Sequence, residues 1–329
     1  MTLVRVLTLL FVSFCGIAVR AGQTPVVVAA DGTGQFKTVQ AAIDAIPDKN
    51  TEPRVIVIKP GTYKERLVIN ESKTFITLRG DAADAGRIII TFNRHSGMDD
   101  PKAPGGKVQT GDSESVLIQP DNFTAENITF ENSAGQEVGP AVAARTAGDK
   151  QVFRNCGFLG WQDTLFVDGK RTYFEDCYIE GNGDFIFGPA TAVFENCHVR
   201  SKGGACVTAA STLPETPFGL VFLKCKLTGG SAKSHLGRPW KEGAATAFIK
   251  CELGDHLRPE GWAQWRGNEN HKTARFVEYK NTGPGAKTSK RPAWTRQLSD
   301  AEAKTYTIEN ILGGEDRWNP RELSTEKRP

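Results

Sequence analysis

The feature that most constrains this chain is a short phrase that recurs through its middle. Phe153-Arg154-Asn155-Cys156, Phe174-Glu175-Asp176-Cys177, Phe194-Glu195-Asn196-Cys197, Phe222-Leu223-Lys224-Cys225 and Phe248-Ile249-Lys250-Cys251 are variants of one strand, and Ala125-Glu126-Asn127-Ile128 is an earlier copy. The intervals from Ile128 through the five cysteines are 28, 21, 20, 28 and 26 residues, which suits coils with a fixed strand and loops of varying length. Each copy is apolar at alternate positions, so each reads as a strand with one buried face. Strands at this spacing, with no helical periodicity between them, fit a sandwich or a solenoid. The identical recurring side chains favour the solenoid, because stacked coils set equivalent residues above one another at about 4.8 Å. The predicted fold is therefore all-β, a parallel β-helix, with Val55–Ile58, Phe75–Leu78, Ile88–Ile90 and Val116–Ile118 supplying the first coils.

A solenoid needs its ends covered, since a bare terminal coil exposes unpaired backbone and apolar surface. Short capping helices are expected at both ends. Thr38 can cap a segment whose Val39, Ile43 and Ile46 share one face, while Ser299 and Glu302 have capping-box spacing ahead of Ile308, Ile311 and Leu312.

Before the repeats, Arg5 precedes an apolar run from Val6 to Val19 that ends in Ala18-Val19-Arg20-Ala21, the pattern of a cleaved signal peptide. Residues 1–21 are expected to be removed, residues 22–329 to form one β-helix domain, and the product to be secreted or periplasmic. No later stretch is apolar for the roughly 20 residues of a membrane span, so no membrane association of the mature form is expected. The full chain has 41 basic and 38 acidic residues, and without Arg5 and Arg20 the count is 39 against 38. That balance gives no electrostatic case for nucleic acid. A monomer is expected.

Six cysteines follow the leader: Cys156, Cys177, Cys197, Cys206, Cys225 and Cys251. Five hold one interior position of the repeat, where a free thiol behaves as a small hydrophobe. Cys177 and Cys197 should lie on successive coils within disulfide range, so a single bridge between them stands beside the free-thiol reading. No histidine or cysteine spacing suggests a metal site, and no cofactor is expected.

Two aspartates share the repeat's phase. Asp163 lies seven residues after Cys156 and Asp184 seven after Cys177, so they should stack on consecutive coils. Neighbouring carboxylates do not both ionise cheaply; one pKa should rise and the pair should titrate together. In an arbitrary solenoid two such residues are usually solvated loop aspartates. Their neighbours argue otherwise: Gly160-Trp161-Gln162-Asp163-Thr164-Leu165 puts an amide beside one, Asp184-Phe185-Ile186-Phe187-Gly188 puts rings beside the other, and Leu236-Gly237-Arg238-Pro239-Trp240 adds a cation and an aromatic face.

These segments resemble the signature motifs of the pectin methylesterase family, written there approximately as G-Y-Q-D-T-L, D-F-I-F-G and L-G-R-P-W. The resemblance begins at Ala30-Asp31-Gly32-Thr33-Gly34-Gln35-Phe36, continues through Gly61-Thr62-Tyr63-Lys64-Glu65 and reaches Tyr306-Thr307-Ile308-Glu309-Asn310-Ile311-Leu312-Gly313-Gly314. It implies a right-handed parallel β-helix and removal of methyl groups from methyl-esterified pectin. Residue by residue, it implies that Asp184 attacks the ester carbonyl, Asp163 serves as acid and then base, Gln162 donates to the oxyanion and Arg238 orients Asp184. Trp240, Phe187, Phe166 and Trp265 would line the substrate groove, whereas Phe185 is expected in the core.

One departure matters. The family normally carries a second oxyanion glutamine in a Q-A-V-A-L strand, where this chain reads Pro140-Ala141-Val142-Ala143-Ala144. Proline offers neither a side-chain amide nor a backbone N–H. Gln136, four residues upstream, is the first substitute to consider. His235 and Gly183 also depart from the family pattern, which puts groove specificity in question. An esterase or thioesterase for another acyl group, and a carbohydrate-binding β-helix without activity, are the competing readings.

Overall fold

The computed structural model describes residues 25–323; the expected signal peptide lies outside them. Among the described residues, strands stack into sheets of eleven, eight and seven, and neighbouring strands run parallel. Each coil visits the three sheets in turn. Gln151–Arg154, Gly157–Leu159 and Leu165–Val167 make one circuit, and Arg171–Glu175, Tyr178–Gly181 and Ile186–Gly188 repeat it one coil on. The chain is a right-handed parallel β-helix.

Stacking the repeat makes two interior columns. Phe174, Phe194, Phe222 and Phe248 lie ring on ring at successive centroid distances of 4.6, 4.6 and 4.5 Å, within 11° of parallel. Such offset stacks add to the area they bury. Beside them Cys156, Cys177, Cys197, Cys225 and Cys251 are all buried. The Cys177 and Cys197 thiols donate to the Phe153 and Phe174 carbonyls at 3.5 and 3.6 Å, one coil back, and all six described cysteines are free. The spacing that allowed a Cys177–Cys197 bridge instead serves this thiol-to-carbonyl ladder.

The repeat is not a single straight strand. Its strand stops at Arg154, Glu175 and Glu195, after which Asn155, Asp176 and Asn196 take φ of 47°, 54° and 54°. This left-handed corner, which Asn and Asp tolerate best, turns the chain so that the cysteine opens the next side of the coil. Nor is only one face buried. Val152, Tyr173, Val193 and Val221 point outward yet are covered, because the carboxyl-end segment folds back over this sheet and packs Ile308, Ile311 and Leu312 on them.

The amino end is closed as the pattern suggested. Helix Val39–Asp44 is capped by the Thr38 hydroxyl and buries Val39 and Ile43, with Ile46 beyond it. At the other end Ser299 and Glu302 form the expected capping box on Asp300–Ala303. Helix Ile308–Leu312 then lies along the barrel's flank, and Trp262, Phe276 and Trp294 pack together at the last coils.

Candidate active site

The two aspartates do occupy one slot on consecutive coils. Gln162 and Gly183 form a parallel bridge, and the Asp163 amide donates to the Gly183 carbonyl at 3.0 Å. Both are left-handed, with φ of 62° at Asp163 and 48° at Asp184, a conformation rare outside glycine and concentrated at functional sites. The local sequence explains how the turn is held. Buried Thr164 donates its hydroxyl to the Trp161 and Glu180 carbonyls at 3.2 and 3.0 Å, tying the Asp163 turn to the next coil. Phe185 drops into the core as expected, and Gly181 makes room for it: a Cβ there would stand 2.3 Å from the Phe185 Cβ.

Arg238 arrives from strand His235–Pro239, two coils beyond Phe187 in the same sheet. The strand can lie this close because Gly237 has no Cβ, which would sit 2.0 Å from the Thr208 hydroxyl. Between them, register places small Ala209 beside both Phe187 and Arg238, so the guanidinium can lean across it. Nε donates to Asp184 Oδ1 at 3.0 Å, and the second bond of the fork runs from Nη2 to Oδ2. The Trp265 ring backs the guanidinium at 4.1 Å, a cation–π contact that keeps the fork in place.

Electrostatics separates the two carboxylates. Burial raises both and keeps Asp184 above its ordinary value, but only Asp184 receives the Arg238 fork, which pulls in the opposite direction. Asp163 is pushed up to about 8, first by burial and second by the negative charge of Asp184. The pair therefore gives up its protons in order, Asp184 first and Asp163 near pH 8, so a carboxylic acid can stand beside a carboxylate.

Together Gln162, Asp163, Asp184, Arg238, Phe166, Phe187, Trp240 and Trp265 line one cleft of about 500 Å³, so every site residue read from the sequence converges. Phe166 and Phe187 stack at 4.5 Å and 8°, with Trp240 edge-on to Phe187 at 6.0 Å. Gln136 and Gln109 are both exposed, but Gln136 does not line the cleft, whereas Gln109, Thr110, Gly111 and Ala209 do. Gln109 reaches it on a loop outside the repeat, so no period could have revealed it. His235 starts the Arg238 strand half-buried, its imidazole pushed down by burial and by Arg258, without joining the cleft wall. Glycine at 183 is not forced by space, since a Cβ there would meet only the Ala205 Cβ, at 3.8 Å.

A family profile described as Pectinesterase matches residues 25–315. The chain belongs to the pectinesterase family. Pectinesterase 31 of Arabidopsis thaliana is 40% identical over 293 residues, covering 88% of this chain and 92% of that one. A probable pectinesterase/pectinesterase inhibitor 23 of the same plant is 38% identical over 312 residues, 90% of this chain but 53% of its own length. The chain thus spans about half the length of several pectinesterase relatives it matches. Among solved structures, a pectin methylesterase from carrot superposes with a TM-score of 0.82 at 34% identity, covering 90% of this chain and 95% of that one.

Proposed function

We propose that this chain hydrolyses the methyl esters of pectin, releasing methanol and leaving a carboxylate on the polygalacturonate. The observation that carries the reading is the division of labour between two stacked carboxylates, a fork-held Asp184 and a protonated Asp163, in an aromatic cleft. Family membership names the ester.

In this reaction the Asp184 carboxylate attacks the ester carbonyl carbon. The carbonyl π pair moves onto oxygen, which Gln162 stabilises by donating its side-chain N–H. Collapse of the tetrahedral intermediate expels the methoxy group, which takes the proton of Asp163 and departs as methanol. An anhydride between Asp184 and the galacturonate remains. Asp163, now ionised, takes a proton from water as that water attacks the galacturonyl carbon, which restores its acid form, and the second collapse expels Asp184 as a carboxylate and leaves a galacturonic acid that ionises in solution. Arg238 holds Asp184 ionised and aimed before the attack, and receives the carboxylate again when the second collapse releases it. The aromatic floor of Phe166, Phe187, Trp240 and Trp265 seats the sugar rings, whose C–H faces pack on aromatic surfaces.

Action on pectin fits export, which the sequence of residues 1–21 supports, and we assign the mature enzyme to residues 22–329. No helix among the described residues is long and apolar enough to cross a membrane. The test is methanol release by purified protein from methylated pectin, run beside assays for new reducing ends and unsaturated products. Methanol alone is the expected product; chain cleavage without methanol contradicts the reading.

A further inference from the structure

An ester oxyanion beside Gln162 would have one side-chain amide to hold it, and the cleft wall carries one more. A full negative charge in a partly dry cleft is poorly held by one neutral donor. Of the polar groups lining the cleft, the Arg238 bonds go to Asp184, the Asp163 proton is owed to the leaving group, and Pro140 has no N–H. The Thr110 hydroxyl is turned to Ser96 at 3.4 Å. The amides left in the wall are those of Gln162 and Gln109.

Gln109 lines the cleft from an exposed loop. Its backbone carbonyl accepts from Asp112 at 3.0 Å as the chain enters the turn Thr110–Asp112, which fixes the position of its Cα. The turn is itself clamped. Arg145 donates to the Gly111 carbonyl at 2.8 Å, pairs with Asp168, and lays its guanidinium 5.2 Å from the Phe166 ring centroid. A Cβ on Gly111 would meet Phe166 at 3.5 Å, so this backbone already touches the aromatic floor. The Gln109 amide, by contrast, has a single described hydrogen bond, from Nε2 to the Lys107 carbonyl at 3.3 Å. That bond is long and neutral, and exchanging it for one to an oxyanion is favourable.

We infer that Gln109 is a catalytic residue of this enzyme, donating its side-chain N–H to the ester oxyanion from the wall that contains Pro140, opposite in sequence origin to Gln162. The inference rests on the ester-hydrolysis reading above. A donor used mainly in the transition state lowers kcat when lost and leaves KM nearly unchanged.

The experiment measures kcat and KM for methanol release from methylated pectin in Gln109→Ala, Gln109→Glu, Gln162→Ala and Gln136→Ala, with thermal melts of each. Gln109→Ala should lose roughly 10²-fold in kcat with KM within about twofold, as single oxyanion donors do. Gln109→Glu, which keeps shape and reach but places a negative charge at the oxyanion, should lose at least as much. Gln136→Ala should match the parent. An unchanged kcat in a Gln109→Ala protein that melts like the parent, with Gln162→Ala impaired, overturns the inference and leaves the function standing. A rise in KM alone, in either Gln109 variant, also overturns it by making the residue a binding group. A parent enzyme that releases no methanol sinks the functional reading instead.

Discussion

Both described hydrogen bonds of the Arg238 side chain go to Asp184, and Asp163 on the adjacent coil receives none. This asymmetry gives two chemically identical groups different protonation states. Removing it has a definite consequence. In Arg238→Ala the buried Asp184 anion loses its partner, its pKa climbs, and kcat/KM near pH 7 should fall at least 10²-fold. The acid limb of the pH profile should move to higher pH at the same time. An acid limb that stays where it was would mean that Arg238 does not set the charge of Asp184.

The pH profile of the parent follows from the same pair. The proposed mechanism needs Asp163 protonated and Asp184 ionised, so kcat/KM should be bell-shaped. The alkaline limb should fall with an apparent pKa near 8, where Asp163 gives up its proton in the free enzyme. On the acid side, activity declines as Asp184 takes one up. Activity on soluble methylated oligogalacturonate that keeps rising well above pH 9 would contradict the assignment of Asp163 as the acid.

The raised pKa of Asp163 also has a cost to stability. Between its ordinary value of 3.8 and about 8, the folded protein holds a proton that the unfolded chain releases. Stability therefore falls as pH rises through that window, by at most about 1.4 kcal/mol per pH unit, and levels off above it. Asp163→Asn lacks this titration. Its stability advantage over the parent in denaturant melts should widen from pH 4 to pH 8 and then stay constant; parallel curves would show that Asp163 is not raised.

In the proposed reaction the aromatic floor binds rather than reacts. Trp240→Ala removes the ring set edge-on to Phe187 and should raise KM about tenfold, close to 1.4 kcal/mol, with a smaller effect on kcat. A loss confined to kcat would place Trp240 in the chemistry instead.

Much of this architecture was legible in the sequence because a solenoid repeats its interior. Cysteine at one position of five successive copies announced an interior column, and Asp163 and Asp184 inherited that phase from Cys156 and Cys177. What the repeat could not encode was equally physical. The corner at Asn155, Asp176 and Asn196 is a one-residue change of φ inside an apparently continuous strand pattern. The outer face of the sheet looked half-exposed until the carboxyl-end segment, distant in sequence, covered Val152, Tyr173 and Val193. Gln136 is near Pro140 along the chain, yet it is Gln109 that joins Gln162 in lining the cleft, since the loops between strands carry no period and their paths depend on clamps such as Arg145 with Gly111.

The central claim is that Asp184 is the nucleophile, and Asp184→Asn tests it most directly. The substitution keeps the side-chain volume and removes the anion, so melting and circular dichroism serve to establish that the β-helix is intact. Methanol release from methylated pectin should then drop to background, at least about 10³-fold below the parent at saturating substrate. Turnover within tenfold of the parent, in a folded Asp184→Asn protein free of deamidated material, would contradict it.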